Sequence, residues 1–205
     1  MDSAVLSITY LGPVQWYQKL HRTEQVLIEG HEHFTKQTYR NRCHIATDHG
    51  LQALTVPVVH DASQGIRDIR ISDHGNWQHL HWQALQSAYG ESPFFEYYMD
   101  DLRPFYEKRW DYLYDFDMAL TEVLCALVDI RPKIGQTPRF LTTEEWTDRN
   151  VTDLRNAIRP KNPPADPDFC PKPYYQVYGQ QWGFMENLSI ADLLFNEGNE
   201  SILYL

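Results

Sequence analysis

The 205-residue chain has only three cysteines, Cys43, Cys125 and Cys170, each isolated and none in a C-x-x-C pair. A scattered, odd set excludes a disulfide framework and points to a reducing compartment, so a cytoplasmic location is expected. Long apolar runs are also missing: no stretch of about 18 apolar residues is present to span a bilayer. No Lys or Arg precedes Lys19, so no signal peptide is expected. Positive charge is scarce, with 18 Lys and Arg against 28 Asp and Glu, a net charge of −10. That balance excludes a broad cationic face for duplex DNA or anionic lipid, and no nucleic-acid partner is expected; a local basic pocket remains open. Absent too are the G-x-S-x-G, Walker, G-x-G-x-x-G and H-E-x-x-H signatures.

What the chain does have is aromatic residues, 6 Trp, 13 Tyr and 9 Phe, within a hydrophobic fraction of 42%. A chain of this length buries a real core without cross-links. So many Tyr and Trp also suit surfaces that stack on rings or sugars.

Strand patterns dominate the first third. VLSITYL (5–11) reads as a buried first strand, broken by Gly12-Pro13, with VQWYQKL after it as a short helix. QVLIE (25–29) is a second strand. Residues 43–47 and 51–58 flank Asp48-His49-Gly50, a hairpin signal in which Gly takes positive φ. RDIRIS, with Ile66, Ile69 and Ile71 around it, suggests another strand. From Asp73 the period changes. Trp77, Leu80, His81, Ala84, Leu85 and Ala88 form one helical stripe, capped by Ser72 or Asp73. Ser92-Pro93 reads as N-cap and first helical residue of a second helix, which Pro104 should end or kink. Leu113 to Leu127 is a third helix, the most periodic of all. Thr142-x-x-Glu145 is a capping box. Six prolines in 160–173 predict an extended connector. Tyr175 to Tyr178 reads as a strand, and Ser189 to Phe195 as a capped helix. The expectation is one α/β domain over 1–205, a mixed β-sheet from the N-terminal third flanked by helices from the middle and C-terminal parts.

Three cations, Lys36, Arg40 and Arg42, crowd into the segment EGHEHFTKQTYRNR (29–42). Arg offers a planar fork of donors and Lys a point charge, together an anion clamp suited to a diphosphate. The plainer reading pairs them with Glu29, Glu32 and Asp48. His31-x-His33 would share one face of a strand, but two ligands do not make a metal site, and no metal is expected. His81 lies in the apolar stripe. It is either a core histidine bonded to a carbonyl or a general acid–base group facing a pocket. Arg42 beside Cys43 could lower a thiol pKa, but plain strand packing explains Cys43. Ser189, Asp192 and Asn196 are explained by helix capping, or else enter a pocket.

These segments together resemble the WbqC-like family. The carrying stretches are YLGPVQWYQKL (10–20), EGHEHFTKQTYRNRCHI (29–45), LTVPV (54–58), IRDIRIS (66–72), NWQHLHWQALQSAYGESPFFEYY (76–98) and YYQVYGQQWGFMENLSIADLLFNEG (174–198). The K-x-x-x-x-N-R element and the N-L-S-I-x-D-L-L-F-N-x-G tail are the specific ones. The aromatic-rich form is similar to bacterial members of the Bacteroidetes group. The family takes its name from surface-polysaccharide (O-antigen) gene clusters. The resemblance therefore implies an enzyme acting on a nucleotide-activated amino sugar, with acyl or aminoacyl transfer to the sugar amine as the reaction class. It carries over Lys36, Asn41, Arg42, His81, Gln176, Ser189, Asp192 and Asn196 as pocket residues. On this view Lys36, Arg40 and Arg42 hold the diphosphate, His81 is the base, Asp192 orients it and Asn41 donates to an oxyanion. No coenzyme A fingerprint is visible, so the cofactor and donor are left open. The alternative is a non-catalytic glycan or nucleotide-sugar binding module. Many relatives carry a Gly/Ser-containing segment after the central helix. Here IGQTPRFLTTEEWTDRN (134–150) stands instead.

Overall fold

The computed structural model describes residues 2–59 and 64–205. The chain opens with strand β1 (Ser3–Ser7), helix α1 (Val14–Arg22) and strand β2 (Gln25–Glu29). A hairpin follows, β3 (Arg42–Thr47) and β4 (Gly50–Thr55), then two short strands, β5 (Val58–Val59) and β6 (Arg70–Ile71). Three long helices come next, α2 (Trp77–Tyr89), α3 (Phe95–Glu107) and α4 (Leu113–Leu127). Strand β7 (Ile134–Gln136), helix α5 (Thr143–Thr147) and strand β8 (Thr152–Asp153) lead into the proline-rich segment. Helices α6 (Gly179–Trp182) and α7 (Ile190–Glu197) and a 3-10 stretch, Gly198–Tyr204, complete it.

The class is α/β. A parallel sheet has the order β7-β2-β1-β8, and β3-β4 and β5-β6 form two antiparallel ribbons. β1 and β2 run in register from Ser3↔Gln25 to Ser7↔Glu29. Parallel neighbours need a crossover, and α1 is that crossover. β7 and β8, the first within 134–150 and the second just after it, are the two outer strands of the sheet. Helix α7 packs against α1 and α3, with Phe195 5.2 Å from the Tyr89 ring and 5.0 Å from that of Phe95.

Local chemistry explains where expectation and structure part. The strand expected over 5–11 ends at Ser7, and Leu11 is left-handed at φ 42°. Every residue from 4 to 14 is buried, so there is no alternation to mark the strand's end. The hairpin turn is as read, with Gly50 at φ 93°. RDIRIS yields a 3-10 turn, Ile66–Asp68, and only two strand residues. Neither Ser72 nor Asp73 caps α2. A 3-10 turn intervenes, and Asn76 occupies the cap position in left-handed conformation. Trp77, His81, Leu85 and Ala88 form the buried stripe, while Leu80 points outward. Ser92 closes α2 instead of opening α3, donating to the Tyr89 carbonyl at 2.6 Å, and α3 runs three residues past Pro104. The capping box at Thr142 and Glu145 forms in full. Residues 175–178 are not a strand. The Gln176 amide pairs with the backbone of Met185 on both sides, at 3.0 and 2.8 Å, and replaces a ladder. The segment 160–173 contains no helix or strand.

Candidate functional site

The loop 30–41 carries the chain from β2 into β3, and its end forms a recess of about 260 Å³. Lys36, Asn41 and Arg42 line it, with Thr55 and Val56 opposite. Arg42 pairs with Thr55 across the hairpin, and its Nε donates to Thr55 Oγ1 at 3.0 Å. That bond fixes the stem of the guanidinium and leaves its terminal nitrogens for a ligand. Asn41 is buried and donates Nδ2 to the Val56 carbonyl at 2.9 Å. Among the described residues neither Lys36 nor Arg42 has an ion-pair partner. In a protein of net charge −10, this pair creates a local positive field.

Arg40 does not join them, a correction to the three-cation clamp. It is buried, with Nε 2.8 Å from Glu32 Oε1 and Nη2 2.6 Å from both Glu32 Oε2 and Ser7 Oγ. A bidentate fork of this kind satisfies the buried carboxylate and leaves no cation for a ligand. Glu29, wholly buried, accepts from Arg155 Nη1 at 2.9 Å, Thr137 Oγ1 at 2.8 Å and the His31 backbone N–H at 2.8 Å. Arg155 also forks onto Asp153. These charges gather at the carboxyl ends of β1, β2 and β8, the edge where open parallel sheets commonly bind ligands. Here the edge is filled, and the space beside Ser7 and Arg155 is about 10 Å³. The plainer sequence reading, cations paired with Glu29, Glu32 and Asp48, holds for Arg40 and Glu32, whereas Arg155 and Asp153 were missed, although Glu29 at a strand end was a visible signal. His31 bonds the Thr137 carbonyl at 3.0 Å, and no metal-binding cluster occurs among the described residues.

His81 does not line the recess and is buried in the core. Its Nδ1 lies 2.9 Å from the Tyr10 hydroxyl, which is also 2.9 Å from that of Tyr106. The Trp77 ring meets it edge-on at 5.1 Å. Burial pushes its pKa down to about 4, partly offset by a bond to the Thr55 backbone. The imidazole is therefore neutral near pH 7, with Nδ1 engaged by Tyr10. This is the core-histidine arrangement, and Tyr10 rather than Asp192 holds its Nδ1.

Asp192 belongs to a separate buried cluster. Its Oδ2 accepts from Tyr174 at 2.7 Å and from Gln176 Nε2 at 3.0 Å. Burial raises its pKa to about 6, against the hydrogen bonds from Tyr174 and Gln176 that lower it. Ser189 caps α7 by accepting from the Ala191 N–H at 3.2 Å, but Asp192 does not answer with a capping bond. Asn196 donates back to the Asp192 carbonyl at 2.7 Å. Gln176, Ser189, Asp192 and Asn196 thus lock α7 in place and do not line the Lys36–Arg42 recess. Burial raises the Cys43 thiol far above its ordinary range, which removes it as a nucleophile.

Among known proteins, the chain is 27% identical over 223 residues to Uncharacterized protein Rv1507c of Mycobacterium tuberculosis, an alignment covering 98% of this chain and 96% of that protein. No solved structure matches it. The model of the WbqC-like protein family matches residues 9–162, which include the recess, the hairpin and all three long helices. The chain belongs to the WbqC-like protein family.

Proposed function

We propose that the recess of Lys36, Asn41 and Arg42 grips the diphosphate of a nucleotide-activated amino sugar, in the synthesis of a surface polysaccharide. The observation that carries this reading is the presence of two cations on one recess with no counter-ion among the described residues. Arg42 supplies a planar fork and Lys36 a mobile point charge, the two ways proteins hold phosphate oxygens. Acyl or aminoacyl transfer to the sugar amine is the reaction that fits the reading. A second reading, a non-catalytic nucleotide-sugar binding module, is favoured by His81, which is buried, bonded to Tyr10 and absent from the recess lining.

Titration calorimetry with pyrophosphate and with nucleoside-diphosphate hexosamines tests the common element. Binding that weakens with added salt and falls at least about tenfold in Arg42→Ala is expected. Absence of binding by the intact protein would end this reading. Turnover in the presence of an acyl donor separates the enzyme from the binding module.

A further inference from the structure

A second recess opens beside the first. Its volume is about 410 Å³, within the range of small-molecule sites. One wall is the outer face of the hairpin, where His44 follows Arg42 at the i+2 position, roughly 7 Å along the strand on the same side. The opposite wall is the proline-rich segment, with Pro160, Pro163 and Pro164 lining the space. The ends are tied down. Lys161 Nζ donates to Gln37 Oε1 at 3.0 Å, joining the segment to the loop that carries Lys36. Gln15 Nε2 donates to Asp166 Oδ2 at 2.8 Å, and Asn187 Nδ2 donates to Gln15 Oε1 at 3.0 Å. Lys19 pairs with the same Asp166 at 2.7 Å.

The lining is of two kinds. Proline rings and Tyr39 give apolar, flat-sided contact, and fixed amides and a carboxylate give directed hydrogen bonds. That combination suits a sugar ring, which has apolar faces and an equator of hydroxyls. His44 is the unengaged group. Its ring is half-buried, edge-on to Tyr39 at 5.6 Å, and no hydrogen bond to either nitrogen occurs among the described residues. Burial and the neighbouring Arg42 charge hold its pKa below the ordinary value, so it is a neutral imidazole, able both to donate and to accept.

We propose that this recess is the sugar subsite adjoining the diphosphate grip, and that His44 is the side chain that hydrogen-bonds the sugar ring in it. The proposal rests on the reading of the Lys36–Arg42 recess as a diphosphate site. It assigns the hexose to the space beneath the proline-rich segment and to a histidine other than His81.

The test is calorimetry with three probes at one salt concentration: uridine diphosphate, its glucosamine conjugate and its N-acetylglucosamine conjugate. One or both conjugates should bind at least about fivefold more tightly than uridine diphosphate. His44→Ala should remove that advantage and leave affinity for uridine diphosphate unchanged. His44→Gln, which keeps a donor and an acceptor, should restore part of it and covers the case in which the alanine variant fails to fold. Conjugates binding no better than uridine diphosphate, or an advantage that survives both substitutions, overturns the sugar subsite and leaves the diphosphate grip standing. Failure of all three probes to bind overturns both.

Discussion

The hydroxyl of Tyr10 stands 2.9 Å from Nδ1 of His81, inside a core where neither side chain meets solvent freely. That contact ties α2, which carries His81, to the segment after β1. Replacing Tyr10 by Phe strips Nδ1 of its partner and breaks the link to Tyr106 as well. Leaving a buried donor or acceptor unpaired costs about 1–3 kcal/mol. Urea unfolding of Tyr10→Phe should show a loss of that size at unchanged m-value. A midpoint equal to that of the parent would mean the contact contributes nothing.

Arg40 and Arg42 are two residues apart and do opposite work. Arg40→Ala leaves Glu32 buried without its guanidinium, a loss of about 3–5 kcal/mol in folding stability. Arg42→Ala removes one bond to the Thr55 hydroxyl on a half-exposed face, a loss of about 1 kcal/mol or less. Denaturation midpoints of the two variants should therefore separate widely, while diphosphate binding is lost selectively in the Arg42 variant. Equal midpoints would remove the distinction drawn between them.

The same pair shows what could be read without coordinates. Lys36 and Arg42 share one recess because a single short loop carries both, and local features of this kind survive folding. The Asp48-His49-Gly50 turn, the Thr142–Glu145 capping box and the periodic Leu113–Leu127 helix were legible for the same reason, since each is fixed by neighbours a few residues away. Arg155 lies 126 positions from Glu29, and the strand that brings it there is two residues long. No hydrophobic period can mark so short a strand. The core role of His81 was one of two readings its stripe allowed; only the position of Tyr10, 71 positions away, selects between them.

Asp192 and His81 pull stability in opposite directions over one pH window. The folded pKa of Asp192 is raised from 3.8 to about 6, so its contribution is fully present below 3.8 and is lost as pH rises to about 6. His81 is lowered from 6.5 to about 4, so its contribution is present above 6.5 and is lost as pH falls to about 4. At 1.36 kcal/mol per pH unit each amounts to about 3 kcal/mol, and between pH 4 and 6.5 they nearly cancel. Relative to the parent, Asp192→Asn should lose about 3 kcal/mol as pH falls from 6.5 to 4, and His81→Gln should gain a similar amount. Urea midpoints collected every half unit would show it. Parallel profiles for the parent and both variants would contradict the assignment.

Asp117, in the middle of α4, is fully buried, and neither carboxyl oxygen has a hydrogen-bond partner among the described residues. The hydroxyls of Thr121 and Tyr17 are also unpartnered among the described residues. Burial alone raises its pKa well above 3.8. A raised acid contributes stability that is present below 3.8 and is lost as pH rises through the folded value, so Asp117 weakens the fold progressively toward neutrality. An amide of nearly the same shape cannot ionise. Asp117→Asn should match the parent within about 1 kcal/mol at pH 4 and gain on it steadily up to pH 8. Paired urea titrations at those two pH values measure the difference directly. A variant that loses ground as pH rises would show that the carboxylate, not the acid, is the form the core accommodates.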